Sequence, residues 1–357
     1  MPTRMHNIDA LRAIAALTVL FQHVSGDIWR AFPAALPYLK PVALDLFDWG
    51  RFGVVLFFLI SGYVIPLSFT GPSPLQKFVI SRIFRLYPAF WLSIVAMVGA
   101  LHLNGVNLSP TQIAANVTMA YPLFGQAAIN GVFWTLIIEV MFYIACFILF
   151  AAGQLESPKV VGALALLGIM SVVGPSVILG RQTLPLHGYF LSFLLLGSLI
   201  RQTHARLPHA KQLACLVAFA IIAALPIVSS LNAGRPTAFS YSTDMGVALS
   251  IIAAGALFIA SWSPVFSSLP RFLLELGAWS FSIYLLHVPV SLLVEHFFHP
   301  DSLATASAFF VVTCALSIAV AAVSFEMIER PFIRLGHRLA NALAPKAYGV
   351  PSTGGNG

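Results

Sequence analysis

Apolar stretches long enough to cross a bilayer recur about ten times along this chain, and no other feature constrains its fold as tightly. They cover residues 8–24, 52–69, 86–103, 132–152, 159–179, 187–201, 212–231, 245–262, 272–295 and 304–328. A span of about 20 residues matches the hydrocarbon thickness. Inside lipid each backbone N–H and C=O must be satisfied within its own segment, which makes these stretches helices. The expected fold is all-α: a polytopic integral membrane bundle of about ten transmembrane helices. Composition agrees, since the chain is 59% hydrophobic and 9% charged with mean hydropathy +0.90, far beyond what a soluble core of 357 residues needs.

An even number of spans puts both termini on one side. If that side is cytoplasmic, the inner segments hold thirteen of the nineteen Lys and Arg, and the outer loops hold only Arg30, Lys40, Arg51, Arg181 and Arg235. Both termini are therefore expected in the cytoplasm. The formal net charge of +7 becomes an inner-face property, suited to membrane lipid or an anionic cytoplasmic ligand and not to nucleic acid. Residues 1–339 read as one membrane domain and 340–357 as a disordered cytoplasmic tail. The first apolar run is read as retained, because no small-residue cleavage site follows Val24 and the run carries Arg12. Cys146, Cys215 and Cys314 stand singly in apolar segments, so neither a disulfide framework nor a zinc site is expected. Glu295, His296 and His299 lack convincing metal-ligand spacing, and no metal is assigned. No GxGxxG or Walker loop occurs. Two long outer loops, 27–51 and 103–131, are rich in aromatic residues or in amides such as Asn104, Asn107, Asn116 and Asn130, as a sugar-binding vestibule or an interfacial belt would be.

Ionisable side chains inside spans are costly and functional by default. Arg12 and His23 lie eleven residues apart in the first span, three helical turns with about 20° left over, so they share a face roughly 16 Å apart. Ser61-Gly62-Tyr63 brings a small pair into the second span, permitting close helix approach or leaving backbone donors near a ligand. Arg82 and Arg85 sit one turn apart before the third span, a register suited to phosphate. Phe133-Trp134 opens the fourth span, placing Glu139 about 10 Å below the outer interface. Ser280, Tyr284 and His287 make a polar stripe on the ninth. Counting from the span ends puts His23, Glu139 and His287 each roughly 20 Å above the inner interface, which suggests one shared cavity.

In order along the chain, Ile8-Asp9-Ala10-Leu11-Arg12 with His23, Phe57-Phe58-Leu59-Ile60-Ser61-Gly62-Tyr63, and Arg82 and Arg85 before Leu86-Tyr87-Pro88 are followed by three more motifs. These are Phe133-Trp134 with Glu139 and Phe142-Tyr143, Ser282-Ile283-Tyr284-Leu285-Leu286-His287, and Ile328-Glu329-Arg330-Pro331-Phe332. Together they resemble acyltransferase family 3, membrane proteins that O-acylate bacterial surface glycans, lipids and some antibiotics. Ser81 stands where the family often has another arginine, and Val140 where a second acidic residue is common. The family's common extracytoplasmic esterase-like domain has no counterpart in the sequence, so transfer is expected within the membrane core or with a separate partner.

The resemblance implies a multi-pass protein of the bacterial inner membrane with acyl-CoA, acetyl first and succinyl second, as co-substrate, and no permanently bound cofactor. Its acceptor would be a hydroxyl of an exported glycan or glycolipid. The coenzyme phosphates would stay near Arg82 and Arg85, helped by Arg12. His23 would act as general base or as an acyl-imidazole carrier, with Glu139 orienting the imidazole. Ser61, Tyr143 or Tyr284 would donate to the oxyanion, while Asp9, Gly62, Tyr63, Trp134 and His287 complete the substrate contacts. The competing class is a proton-coupled transporter of a small solute, which also needs His and carboxylates at mid-membrane. The oligomeric state is left open.

Overall fold

The computed structural model describes residues 5–33, 40, 44–179, 186–232, 243–267 and 269–343. Parts of the 27–51 loop, Arg4, Arg181, Arg235 and the expected tail from 344 onward lie outside the described residues. All described regular structure is helical: α1 His6–Ala31, α2 Trp49–Val64, α3 Pro74–Leu103, α4 Pro110–Val117, α5 Trp134–Ala151, α6 Pro158–Leu179, α7 His187–His204, α8 Ala210–Asn232, α9 Asp244–Ala260, α10 Arg271–Phe297, α11 Leu303–Ser324 and α12 Arg330–Ala342. A 3₁₀ turn Ile65–Ser68 prolongs α2, and a π turn Phe325–Glu329 links α11 to α12.

The ten expected spans coincide with α1, α2, α3 and α5 through α11, but among the described residues eight helices are long and apolar enough to cross a membrane. α9 is a shorter apolar helix. α7 ends in Arg201, Gln202, Thr203 and His204, which lowers its apolarity. α3 also begins well before the expected residue 86, because Ser73-Pro74 starts the helix. Arg82 and Arg85 consequently lie inside it, about 12 and 16 Å from its start, and not at its mouth.

Packing follows side-chain size. α1, α2 and α10 are buried along most of their length, whereas α3, α5, α6, α8 and α11 are buried along less than half. Lipid gives helices no hydrophobic reason to associate, so small residues that bring backbones together carry the contact. Ala10, Ala13, Ala15 and Ala16 of α1 are fully buried. Gly53 lies against the Ala15 carbonyl, Gly62 against the Leu194 carbonyl of α7, and Gly277 of α10 against the Asp9 carbonyl, leaving no space for a Cβ at any of the three. Gly62 therefore serves helix approach, the structural half of what its sequence context allowed. Contacts between α1 and α10 advance together from Asp9–Gly277 through His23–His287 to Asp27–Ser291, so these two central helices run parallel. On the periphery Val95, Ile144, Ile148, Ile178, Phe219 and Val311 point outward as exposed apolar side chains, a surface suited to hydrocarbon and not to water.

The 103–131 segment uses its amides internally instead of lining a vestibule. Asn116 donates to the Gln112 and Ala127 carbonyls and accepts from the Ile129 N–H; Asn104 donates to the Leu292 carbonyl. Asn130, fully buried, donates to the Leu285 carbonyl of α10 at 3.3 Å and accepts from the Val132 N–H. The chain thus enters α5 beside the middle of α10.

Candidate functional site

Two cavities lie end to end along α1 and share Val54 and Tyr284 as a common wall. The first, nearer the start of α1, is lined by Arg12, Ser61, Arg82, Arg85, Thr135, Glu139, Ser280 and Tyr284 among apolar neighbours. The second is lined by Gln22, His23, Asp27, Arg30, Asp48, Arg51, Trp134 and Tyr284. We call them the arginine and histidine cavities.

The arginine cavity brings together what the sequence separated by more than seventy residues. Arg12 comes from α1, Arg82 and Arg85 from one face of α3, and Glu139 from the first turns of α5. The charges acting on Arg12 are those of Arg85, Asp9, Glu139 and Arg82. Arg82 donates to the Ser68 hydroxyl at 3.1 Å, and its guanidinium lies over the rings of Phe78 and Tyr143 at 5.5 and 5.6 Å. Its Nε is buried without a hydrogen-bond partner. Tyr143 donates to Glu139 Oε1 at 2.6 Å, which fixes that carboxylate and turns the tyrosine hydroxyl away from an oxyanion role. Three clustered guanidiniums with donors to spare make a site for phosphate or another polyanion.

One residue beside this cluster stood in a quoted motif without a role of its own. Glu329, 1% exposed, accepts from the Ser282 hydroxyl at 2.6 Å and feels the charges of Arg85 and Arg12. The π turn at Phe325–Glu329 carries it, a type of helix defect often found at functional sites. An acidic residue closing the last apolar stretch was the available signal.

His23 belongs to the other cavity. Its ring stands edge-on to His287 with centroids 4.9 Å apart. His287 is fully buried, and its Nδ1 donates to the Ile283 carbonyl at 3.0 Å, so Nε2 carries the lone pair of the neutral ring. One turn further along both helices, Ser291 donates to Asp27 at 2.5 Å, and Asp27 also pairs with Arg30. Asp48, 2% exposed, accepts from the Arg51 N–H at 2.7 Å and lies 3.7 Å from its Nε, while its own N–H donates to Ser250. Burial pushes the Asp48 carboxyl up from the usual carboxylate range, and Arg51 opposes that shift. Asp27, Asp48, Arg51 and Gln22 were not singled out beforehand, although Asp27 stands four residues after His23 and hence on the same helical face.

The single cavity expected for His23, Glu139 and His287 is therefore replaced by two, and the pairing of Glu139 with His23 is not found. The reason is the depth at which α5 begins. Tyr284 lies about 20 Å into α10, and its hydroxyl reaches the Val132 carbonyl at 3.2 Å, just before α5 starts. Glu139 then lies a further ~8 Å towards the start of α1, beside Arg12. Tyr284 also meets Thr135 Oγ1 at 2.8 Å, which anchors the dividing wall. The Trp134 ring packs at a tilt against Phe190, centroids 4.8 Å apart, and lines the histidine cavity. Tyr63 turns away from both cavities, with its hydroxyl 3.1 Å from His204 Nδ1 and its ring beside Trp262. Among the described residues no three His, Cys, Asp or Glu side chains converge as a metal site.

Clustered arginines and a histidine thus occupy two neighbouring cavities that meet at Val54 and Tyr284. Comparison with known proteins gives the family. The chain is 30% identical over 161 residues to Nodulation protein 10 of Rhizobium leguminosarum bv. viciae, a match covering 39% of this chain and 42% of the relative, so it spans less than half the length of that curated protein. No solved structure matches. A model described as an acyltransferase domain matches residues 5–325, from the start of α1 to the end of α11, and on that match the chain belongs to the acyltransferase 3 family of membrane acyltransferases.

Proposed function

We propose that the protein moves an acyl group, acetyl before succinyl, from cytoplasmic acyl-CoA to a hydroxyl of an exported glycan or lipid-linked sugar at the bacterial inner membrane. The observation that carries this reading is the pair of cavities meeting at Val54 and Tyr284, one lined by Arg12, Arg82 and Arg85 and the other by His23. A coenzyme that bears several phosphates cannot enter hydrocarbon, so its nucleotide end stays with the arginines. Its slender arm then has about 16 Å to cover between the levels of Arg12 and His23. The acceptor enters from the other end.

In this scheme His23 is the general base. It takes the proton from the acceptor hydroxyl as that oxygen attacks the thioester carbon. The tetrahedral oxyanion forms at the wall that Val54 and Tyr284 share between the cavities and collapses as the C–S bond breaks. The thiolate leaves and receives the proton from the imidazolium. The proximity of His287 supports a fixed ring orientation for His23, and Glu139 acts on the donor's arginines. An acyl-imidazole carrier is less favoured, because acceptor and donor reach His23 from opposite cavities and need no intermediate to meet.

The test is mass spectrometry of surface polysaccharides and glycolipids from cells with and without the gene. We expect one glycan to lose an O-acyl mass increment in the deletion strain and regain it on complementation. Identical glycan and lipid profiles contradict the proposal.

A further inference from the structure

The histidine cavity contains a side chain to which the transfer reaction gives no task. Gln22, immediately before His23, is 6% exposed and lines the cavity, yet neither its Oε1 nor its Nε2 has a hydrogen-bond partner in the protein. A buried amide with donor and acceptor both unmade is costly, and such groups persist where a ligand completes them. The position is cleared for it: a Cβ at Gly50 would come 3.1 Å from Gln22 Cγ and 3.5 Å from Asp48 Oδ1.

The charged groups around Gln22 are already matched. Asp27 pairs with Arg30 and takes the Ser291 hydroxyl, and Asp48 pairs with Arg51. An acidic ligand therefore meets no unneutralised cation here, and a basic one meets no unneutralised carboxylate. What the cavity offers is a neutral donor–acceptor pair one residue from the base, beside the Trp134 ring.

We propose that Gln22 is a specificity-determining residue that reads the hydroxyls flanking the one delivered to His23, and that the cavity selects an uncharged polyol over acidic or amino sugars. This rests on the acceptor entering the histidine cavity. Nε2 donates to one flanking hydroxyl and Oε1 accepts from the other, holding the reacting oxygen in register with the imidazole.

The experiment uses the full-length protein in lipid nanodiscs, with tryptophan fluorescence titrated by the methyl α-glycosides of glucose, galactose and mannose, and by glucuronic acid and glucosamine. At least one neutral glycoside should bind about tenfold or more tightly than either charged sugar, and Gln22→Leu should weaken that binding by about tenfold to a hundredfold. Gln22→Glu, which adds a carboxylate, should shift preference towards glucosamine and gives an answer even if the leucine variant does not fold. Acyl-CoA titrated into the same wild-type preparation reads the donor cavity separately, so failure of the acyl-CoA reading is distinguishable from failure of this proposal. Unchanged affinities in both Gln22 variants, tighter binding of glucuronic acid, or no saturable binding of any neutral glycoside overturns the proposal.

Discussion

Replacing His23 with alanine is expected to reduce acyl transfer by about 10² to 10⁴, the usual loss when a general base is removed. The fold should survive, because His23 is one partly buried residue on a helix whose packing rests on Ala10, Ala13, Ala15, Ala16 and the glycine contacts of α2 and α10. Donor affinity should change little, since the arginine cavity lies on the far side of Val54 and Tyr284. Initial rates in membranes with matched protein levels measure the first claim, and acyl-CoA binding by the same variant measures the second. Activity within about threefold of wild type removes His23 from the mechanism. A histidine that served only packing against His287 would instead lower protein yield and leave the rate per molecule unchanged.

The second large effect is expected on the donor. Changing Arg82 and Arg85 to Gln deletes two guanidiniums from a cluster of three, and a hydrogen bond to a charged group contributes about 1.5–3 kcal/mol. The double variant should bind acyl-CoA about 10² to 10⁴ times more weakly, while a truncated pantetheine thioester, which lacks the nucleotide phosphates, should be affected far less. Lysine at both positions keeps the charge without the planar fork and should fall between the two. It also controls for leaving Glu139 and Glu329 without counter-charges. Equal losses with both donors would mean that these arginines do not read the phosphates.

Helix identity was readable in the sequence because apolar span length is a one-dimensional property, and each expected stretch became a helix. The placement of Arg12, Arg82 and Arg85 in one cavity was also accessible, since a charge in an apolar helix must turn towards a polar space wherever its partner lies. Depth was not readable for Glu139. Its level depends on how far the 103–131 segment descends before α5 begins, and that is decided by Asn130 and Val132 meeting Leu285 and Tyr284 some 155 residues away. Tyr63 was misplaced for a related reason: its neighbours His204 and Trp262 come from α7 and the end of α9, which no local pattern connects to α2. Glu329 stood in a quoted motif but received no role, because its partner Ser282 lies 47 residues away on α10.

The central claim is that the arginine cavity receives the donor, from the cytoplasm, and the histidine cavity the acceptor. Sealed membrane vesicles test it directly. Radiolabelled acetyl-CoA and succinyl-CoA are supplied outside inverted and right-side-out vesicles that contain the protein, and label entering glycan or glycolipid is counted. The account predicts incorporation in inverted vesicles, where the cytoplasmic face is outside, and none in right-side-out vesicles until they are permeabilised. Equal incorporation in sealed right-side-out vesicles, or no dependence on acyl-CoA in either orientation, would contradict it.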